Sequence, residues 1–90
     1  NEKVLLEMEI YPNPTNDFIN VNAQFEKPVD ISGNIYNLLG QPVQPQFDLK
    51  DIAALNKQIS LEGLPDGLYF LELELEGKRM TKTVLKSSSK

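Results

Sequence analysis

Cysteine, histidine and tryptophan are all missing from this 90-residue chain. Without histidine there is no side chain that ordinarily changes protonation near neutral pH. Without cysteine there is neither a thiol nucleophile nor a soft metal ligand. These absences remove most enzyme classes and the commonest transition-metal sites, so the chain reads as a non-enzyme that needs no cofactor and holds no metal. No disulfide supports the core, and nothing ties the chain to an oxidising compartment, although export is not thereby excluded. No run approaches the roughly 18 apolar residues of a membrane span. The first residues also lack the basic-then-apolar layout of a signal peptide, so an exported chain would carry its targeting signal upstream. Basic residues are in short supply as well: nine Lys and Arg face 13 Asp and Glu, for a net charge of −4. That balance argues against nucleic acid, whose phosphates demand a surplus of cations, and against an anionic membrane surface.

What is present suits one small domain. Forty per cent of the residues are apolar and 24% charged, close to ordinary globular usage. A chain this short buries roughly 60 to 65% of the surface its unfolded form exposes, enough for one core and not for two.

Hydrophobic periodicity is that of strands. Val4, Leu6, Met8 and Ile10 alternate with Leu5, Glu7 and Glu9, the period of a half-buried strand. Tyr11-Pro12-Asn13-Pro14 then breaks the ladder, because proline lacks the amide donor and pushes the residue before it out of the helical region. Residues 18–25 place Ile19, Val21, Ala23 and Phe25 on one face and Asn20, Asn22 and Gln24 on the other. Glu26-Lys27-Pro28 reads as a turn. Val29, Ile31, Gly33 and Ile35 resume the alternation, with Gly33 marking a bulge, before Leu38-Leu39-Gly40-Gln41 turns the chain again.

Residues 42–47 read as a short edge strand, because Pro42 and Pro45 are tolerated only where amides are not needed. Residues 48–56 read as a loop with one helical turn, since Leu49, Ile52, Ala53 and Leu55 have helical spacing over barely two turns. Residues 57–61 form another short strand, ended by the turn-rich Glu62-Gly63-Leu64-Pro65-Asp66-Gly67. The longest strand, 68–76, carries Tyr69, Leu71, Leu73 and Leu75 on one face, with Leu68, Phe70, Glu72, Glu74 and Glu76 on the other. Gly77-Lys78 supplies a hairpin turn. In the last strand, 79–86, either Met80 and Val84 or Thr81, Thr83 and Leu85 face inward. Across this hairpin Lys78, Arg79, Lys82 and Lys86 oppose Glu72, Glu74 and Glu76, each pair contributing from a few tenths to about 1 kcal/mol. Seven short strands spaced by turns predict an all-β, immunoglobulin-like antiparallel β-sandwich; a barrel of five or six strands is the alternative.

Chemistry has few places to reside. A nucleophilic Ser60 activated by Lys57 would need a desolvated lysine, which a thin sandwich rarely provides. Glu72, Glu74 and Glu76 share a sheet face with cations opposite, so they read as a solvated, charge-paired face rather than a hydrolytic carboxylate pair. Asn13, Asn16 and Asp17, or Asp48 and Asp51, are oxygen ligands in principle, yet neither group has the spacing or closing Glu of a calcium loop, and turn and capping roles account for them. Most of the aromatics read as core, Phe25 and Tyr69 falling in phase with aliphatic residues, which leaves Tyr36 and Phe47 as the pair expected at the surface.

Three ordered segments carry further information. They are Tyr11-Pro12-Asn13-Pro14 leading into residues 18–21, then Ile35-Tyr36-Asn37-Leu38-Leu39-Gly40-Gln41-Pro42-Val43, and finally Ile59-Ser60-Leu61 through Leu64-Pro65-Asp66-Gly67-Leu68-Tyr69-Phe70-Leu71 to Lys82-Thr83-Val84-Leu85-Lys86. Together they resemble the type A C-terminal sorting domain of the type IX (Por) secretion system of Bacteroidetes. The likeness covers residues 10–86, with 1–9 as a linker and first strand and 87–90 as a frayed tail.

The resemblance implies an immunoglobulin-like sandwich at the C-terminus of a larger cargo protein. It implies passage through the periplasm and the outer-membrane type IX translocon to the cell surface or beyond, followed by removal by a sortase-like signal peptidase. It also places translocon recognition on the terminal hairpin, at Gly67, Tyr69, Lys82, Val84 and Lys86, and gives Tyr11, Pro12, Asn13, Pro14 and Gly40 a structural role in turns. Gly67 and Tyr69 read equally as a turn position and a core position, and both readings hold if the signal is a folded surface. The competing reading is an accessory module of a surface enzyme, a spacer or a glycan binder.

Overall fold

The computed structural model describes residues 5–87. They form five antiparallel strands, β1 (Leu5–Tyr11), β2 (Phe18–Tyr36), β3 (Phe47–Ser60), β4 (Gly67–Leu75) and β5 (Lys78–Lys86), with no helix among the described residues. Val4, expected in the first strand, and residues 88–90 of the expected tail lie outside that range. The sheet runs β1-β2-β4-β5, with β3 also paired to β2, and curls into a half-barrel.

Five strands stand where seven were expected because two of the expected breaks are bulges. At Glu26-Lys27-Pro28 the chain does not turn: the five steps from Gln24 to Val29 on β2 face only the two from Ala54 to Ile52 on β3, and the strand continues. Pro28 fits there because the ladder has slipped and asks for no amide. On either side of the slip β2 keeps different company. Its first half pairs with β1 and β3, its second half with β3 and β4.

The same physics explains β3, where a loop with a helical turn was expected over 48–56. Asp51 adopts a φ of 57° at a second slip in register, where the two steps from Val29 to Ile31 face three from Ile52 to Leu49. Each slip shifts the alternation by one, so the inward residues fall at Leu49, Ile52 and Leu55. A three-residue spacing produced by bulges in a strand imitates the period of a helix. The Asp51 amide, released from the ladder, donates to the Asp30 carboxylate at 3.0 Å. Of the expected edge strand at 42–47, an isolated bridge between Pro42 and Tyr36 remains, and Phe47 belongs to β3.

Gly33 is not a bulge: it pairs in unbroken register with both Phe47 and Leu73. Its missing side chain makes room instead. A Cβ there would lie 2.3 Å from Cζ of Phe47, so the ring of Phe47 occupies the space that any larger residue would fill. The β4–β5 turn centres on Glu76 and Gly77, with φ of 50° and 81°, one residue earlier than expected; positive φ at both positions marks the turn that matches strand twist.

One core fills the curl. Ile19, Val21, Ala23, Phe25, Val29, Ile31 and Ile35 of β2 meet Tyr69, Leu71, Leu73 and Leu75 of β4, Leu55 and Ile59 of β3, and Val84 of β5. The open choice in the last strand resolves to Met80 and Val84 inward, because they stand opposite Leu73 and Tyr69 and cross-strand partners share a face. Thr81, Thr83 and Leu85 point outward. The cross-hairpin charge ladder is correspondingly smaller than expected. Arg79 stands opposite Glu74 and reaches Glu72 at 3.5 Å, whereas Lys82 and Lys86 stand opposite Leu71 and Gly67 and belong to the other face.

Candidate recognition surface at the terminal hairpin

The five residues expected to be read by a partner have different environments. Gly67 opens β4 with a φ of 146°, a backbone shape that side-chain-bearing residues rarely adopt. Tyr69 is 4% exposed, and its hydroxyl donates to the carbonyl of Pro65 at 2.5 Å. Val84 is fully buried against the core. Lys86, written as a surface cation by any composition argument, is 6% exposed. Its ammonium donates to the Leu64 carbonyl at 2.8 Å and lies 3.7 Å from the Asp66 carboxylate. Lys82 alone of the five presents its side chain to solvent.

Tyr69 and Lys86 therefore hold the same loop from neighbouring strands. One grips the carbonyl of Pro65 and the other the carbonyl of Leu64, so residues 64–67 are drawn over the end of the core. A charged amine this well buried is tolerated because hydrogen bonds and an opposite charge replace the water it has lost.

The Tyr11-Pro12-Asn13-Pro14 segment, expected to shape a turn, also does something that its sequence does not announce. The Asn13 side chain reaches β5, donating from Nδ2 to the Thr83 carbonyl and accepting at Oδ1 from the Leu85 amide, both at 3.0 Å. Thr15 follows in a parallel bridge with Lys86: its amide donates to the Leu85 carbonyl at 2.9 Å, and its carbonyl accepts from the Ser87 amide at 2.8 Å. Thr15 is 3% exposed, and its hydroxyl bonds the Phe18 carbonyl. Sequence reasoning missed Thr15 altogether, since a lone threonine after two prolines carries no periodic signal. Tyr11 is partly exposed and its hydroxyl meets the Asn22 amide. Both X-Pro bonds, Tyr11-Pro12 and Asn13-Pro14, are cis.

Gly40 sits with a φ of 81° in a turn organised by Asn37, whose Oδ1 accepts from the amides of Leu39 at 2.9 Å and Gln41 at 3.0 Å. The turn exposes Leu38 and Leu39.

On the outward side of the hairpin Leu68 stands opposite Leu85 and Phe70 opposite Thr83, with Tyr36 paired to Phe70 on its other flank. Leu68 and Leu85 are exposed. The expected surface pair of Tyr36 and Phe47 is divided by this arrangement. Tyr36 keeps to the outward face, whereas Phe47 packs against the core with the Lys57 ammonium 5.3 Å from its ring centroid. Lys57 is thus not aimed at Ser60, whose hydroxyl accepts from the Glu62 amide at 3.2 Å. No cluster of three or more metal-ligating side chains occurs among the described residues.

A family model described as the secretion system C-terminal sorting domain matches residues 9–87. No curated protein matches the chain.

Proposed function

Because the chain belongs to the secretion system C-terminal sorting domain family, we propose that it directs a larger cargo protein, joined to its N-terminal side, through the type IX translocon to the cell surface. A sortase-like peptidase then detaches it. The single observation that carries the reading is the coincidence of the family match over residues 9–87 with one folded unit whose first turn and last strand are hydrogen-bonded together.

Recognition rests on the β4–β5 hairpin. Gly67, Tyr69, Val84 and Lys86 build its shape from within, and Lys82 offers a charge on its surface. The fold is read as immunoglobulin-like once β2 and β3 are divided at their bulges. Residues 5–11, 18–25 and 54–60 then form one layer and residues 29–36, 47–52, 67–75 and 78–86 the other, which returns the count to seven.

The experiment is to fuse the whole chain behind a signal peptide and a reporter in a bacterium competent for type IX secretion. The fusion is expected at the cell surface, and the same fusion lacking residues 82–90 in the periplasm. Retention of the intact fusion sinks the proposal. Reproducible binding of the domain to one sugar class on a glycan array would favour the accessory-module reading instead.

A further inference from the structure

A strand at the edge of a sheet presents unpaired amides and carbonyls, and a partner that adds a strand uses those groups. On β5 they are taken over residues 83–87. The Asn13 carboxamide supplies one donor and one acceptor, the same pair that a peptide group of an added strand would supply. It satisfies the Thr83 carbonyl and the Leu85 amide. Thr15 satisfies the Leu85 carbonyl and the Ser87 amide. Between residues 78 and 82 the outer edge has no strand partner among the described residues.

We infer that residues 13–15 are a working part of the sorting signal, with Asn13 as a positioning residue that keeps the outer edge of β5 closed over residues 83–87, so that this stretch is presented to its partner by side chains and not by its backbone. The inference rests on the sorting reading above. Strand addition at 83–87 would have to displace four hydrogen bonds and expel the buried Thr15. The inward side chains Val84 and Lys86 are out of reach. What remains for a partner is the exposed Lys82 and the outward face, where Thr81, Thr83 and Leu85 stand beside Leu68 and Phe70. The turn that opens the domain and the strand that closes it are then one site, although Asn13 and Thr83 lie 70 positions apart.

The test pairs amide hydrogen exchange on the 90-residue chain with surface delivery of its reporter fusion. Asn13→Leu removes both side-chain bonds, and exchange at Leu85 is expected to rise by about tenfold or more while Leu71 in the sheet interior is unchanged. Delivery is expected to fall with it. Asn13→Asp keeps an oxygen for the Leu85 amide but loses the donor to Thr83, so it is expected between the two in both readouts; it also carries the test if Asn13→Leu fails to fold.

Faster exchange at Leu85 with undiminished delivery overturns the inference. So does lost delivery with unchanged exchange, which would make Asn13 a direct contact. If the unaltered fusion itself is retained in the periplasm, the sorting reading has failed and the inference falls with it.

Discussion

Lys86 donates from its ammonium to the carbonyl of Leu64 at 2.8 Å while 6% exposed, so the last cation of the terminal strand is a structural fastener for a loop 22 positions earlier. Lys86→Met preserves the aliphatic stem and removes the charge-assisted bond. Such bonds contribute about 1.5 to 3 kcal/mol, partly returned here by the relief of burying a charge. Urea unfolding is expected to show a loss of about 1 to 2 kcal/mol, and an unchanged midpoint would show that the Leu64 contact adds nothing.

Tyr69 closes the same loop from β4. Tyr69→Phe retains the buried ring and loses the bond to Pro65, for an expected loss of about 0.5 to 1.5 kcal/mol. Because both residues grip adjacent carbonyls, the double variant with Lys86→Met is expected to be less destabilised than the sum of the singles, with a coupling of at least about 0.5 kcal/mol in a double-mutant cycle.

Gly33 and Phe47 compete for one volume. Gly33→Ala forces a Cβ to within 2.3 Å of the ring and is expected to cost about 1 to 3 kcal/mol, the range for overpacking. Shortening the neighbour should relieve it. In Phe47→Leu, the same Gly33→Ala change is expected to be markedly milder, as judged by thermal unfolding of the four proteins.

Asp51 holds a left-handed φ of 57° at the bulge of β3. Asp51→Gly is expected to stabilise by up to about 1 kcal/mol, and Asp51→Val to destabilise by about 1 to 2 kcal/mol, because a branched Cβ suffers most in that region. Equal stability of the two variants in denaturant titration would contradict the bulge.

Lys82 is the exposed member of the five residues proposed for recognition. Lys82→Glu is expected to leave stability within about 0.5 kcal/mol of the parent and to reduce surface delivery of the reporter fusion. Normal delivery would remove the Lys82 charge from the signal.

The inward set on residues 18–25 and 68–76 was legible because strand side chains alternate strictly, and a run such as Ile19, Val21, Ala23 and Phe25 can bury one face only if it is a strand. The sorting family was legible for a different reason: its three motifs lie on turns and strand ends, where backbone shape restricts residue choice. The course of 47–60 was not legible, because two bulges shift the phase of alternation and a shifted strand has no local signature distinct from a helical turn. The side on which the last strand faces inward was equally hidden, since Met80 and Val84 against Thr81, Thr83 and Leu85 is a near-balanced contest until Leu73 and Tyr69 stand opposite.

Local alternation and turn chemistry were thus enough to establish an all-β domain with an amphipathic hairpin over residues 67–86, because both depend on neighbours a few positions apart. The destinations of Lys86, Asn13 and Thr15 depend on groups that come near only after the sheet has curled. Lys86 becomes a buried fastener and not a surface charge, and Asn13 takes the place of a missing strand, because a buried amine and an open strand edge must each find hydrogen-bond partners, and the partners within reach are set by the curl of the sheet.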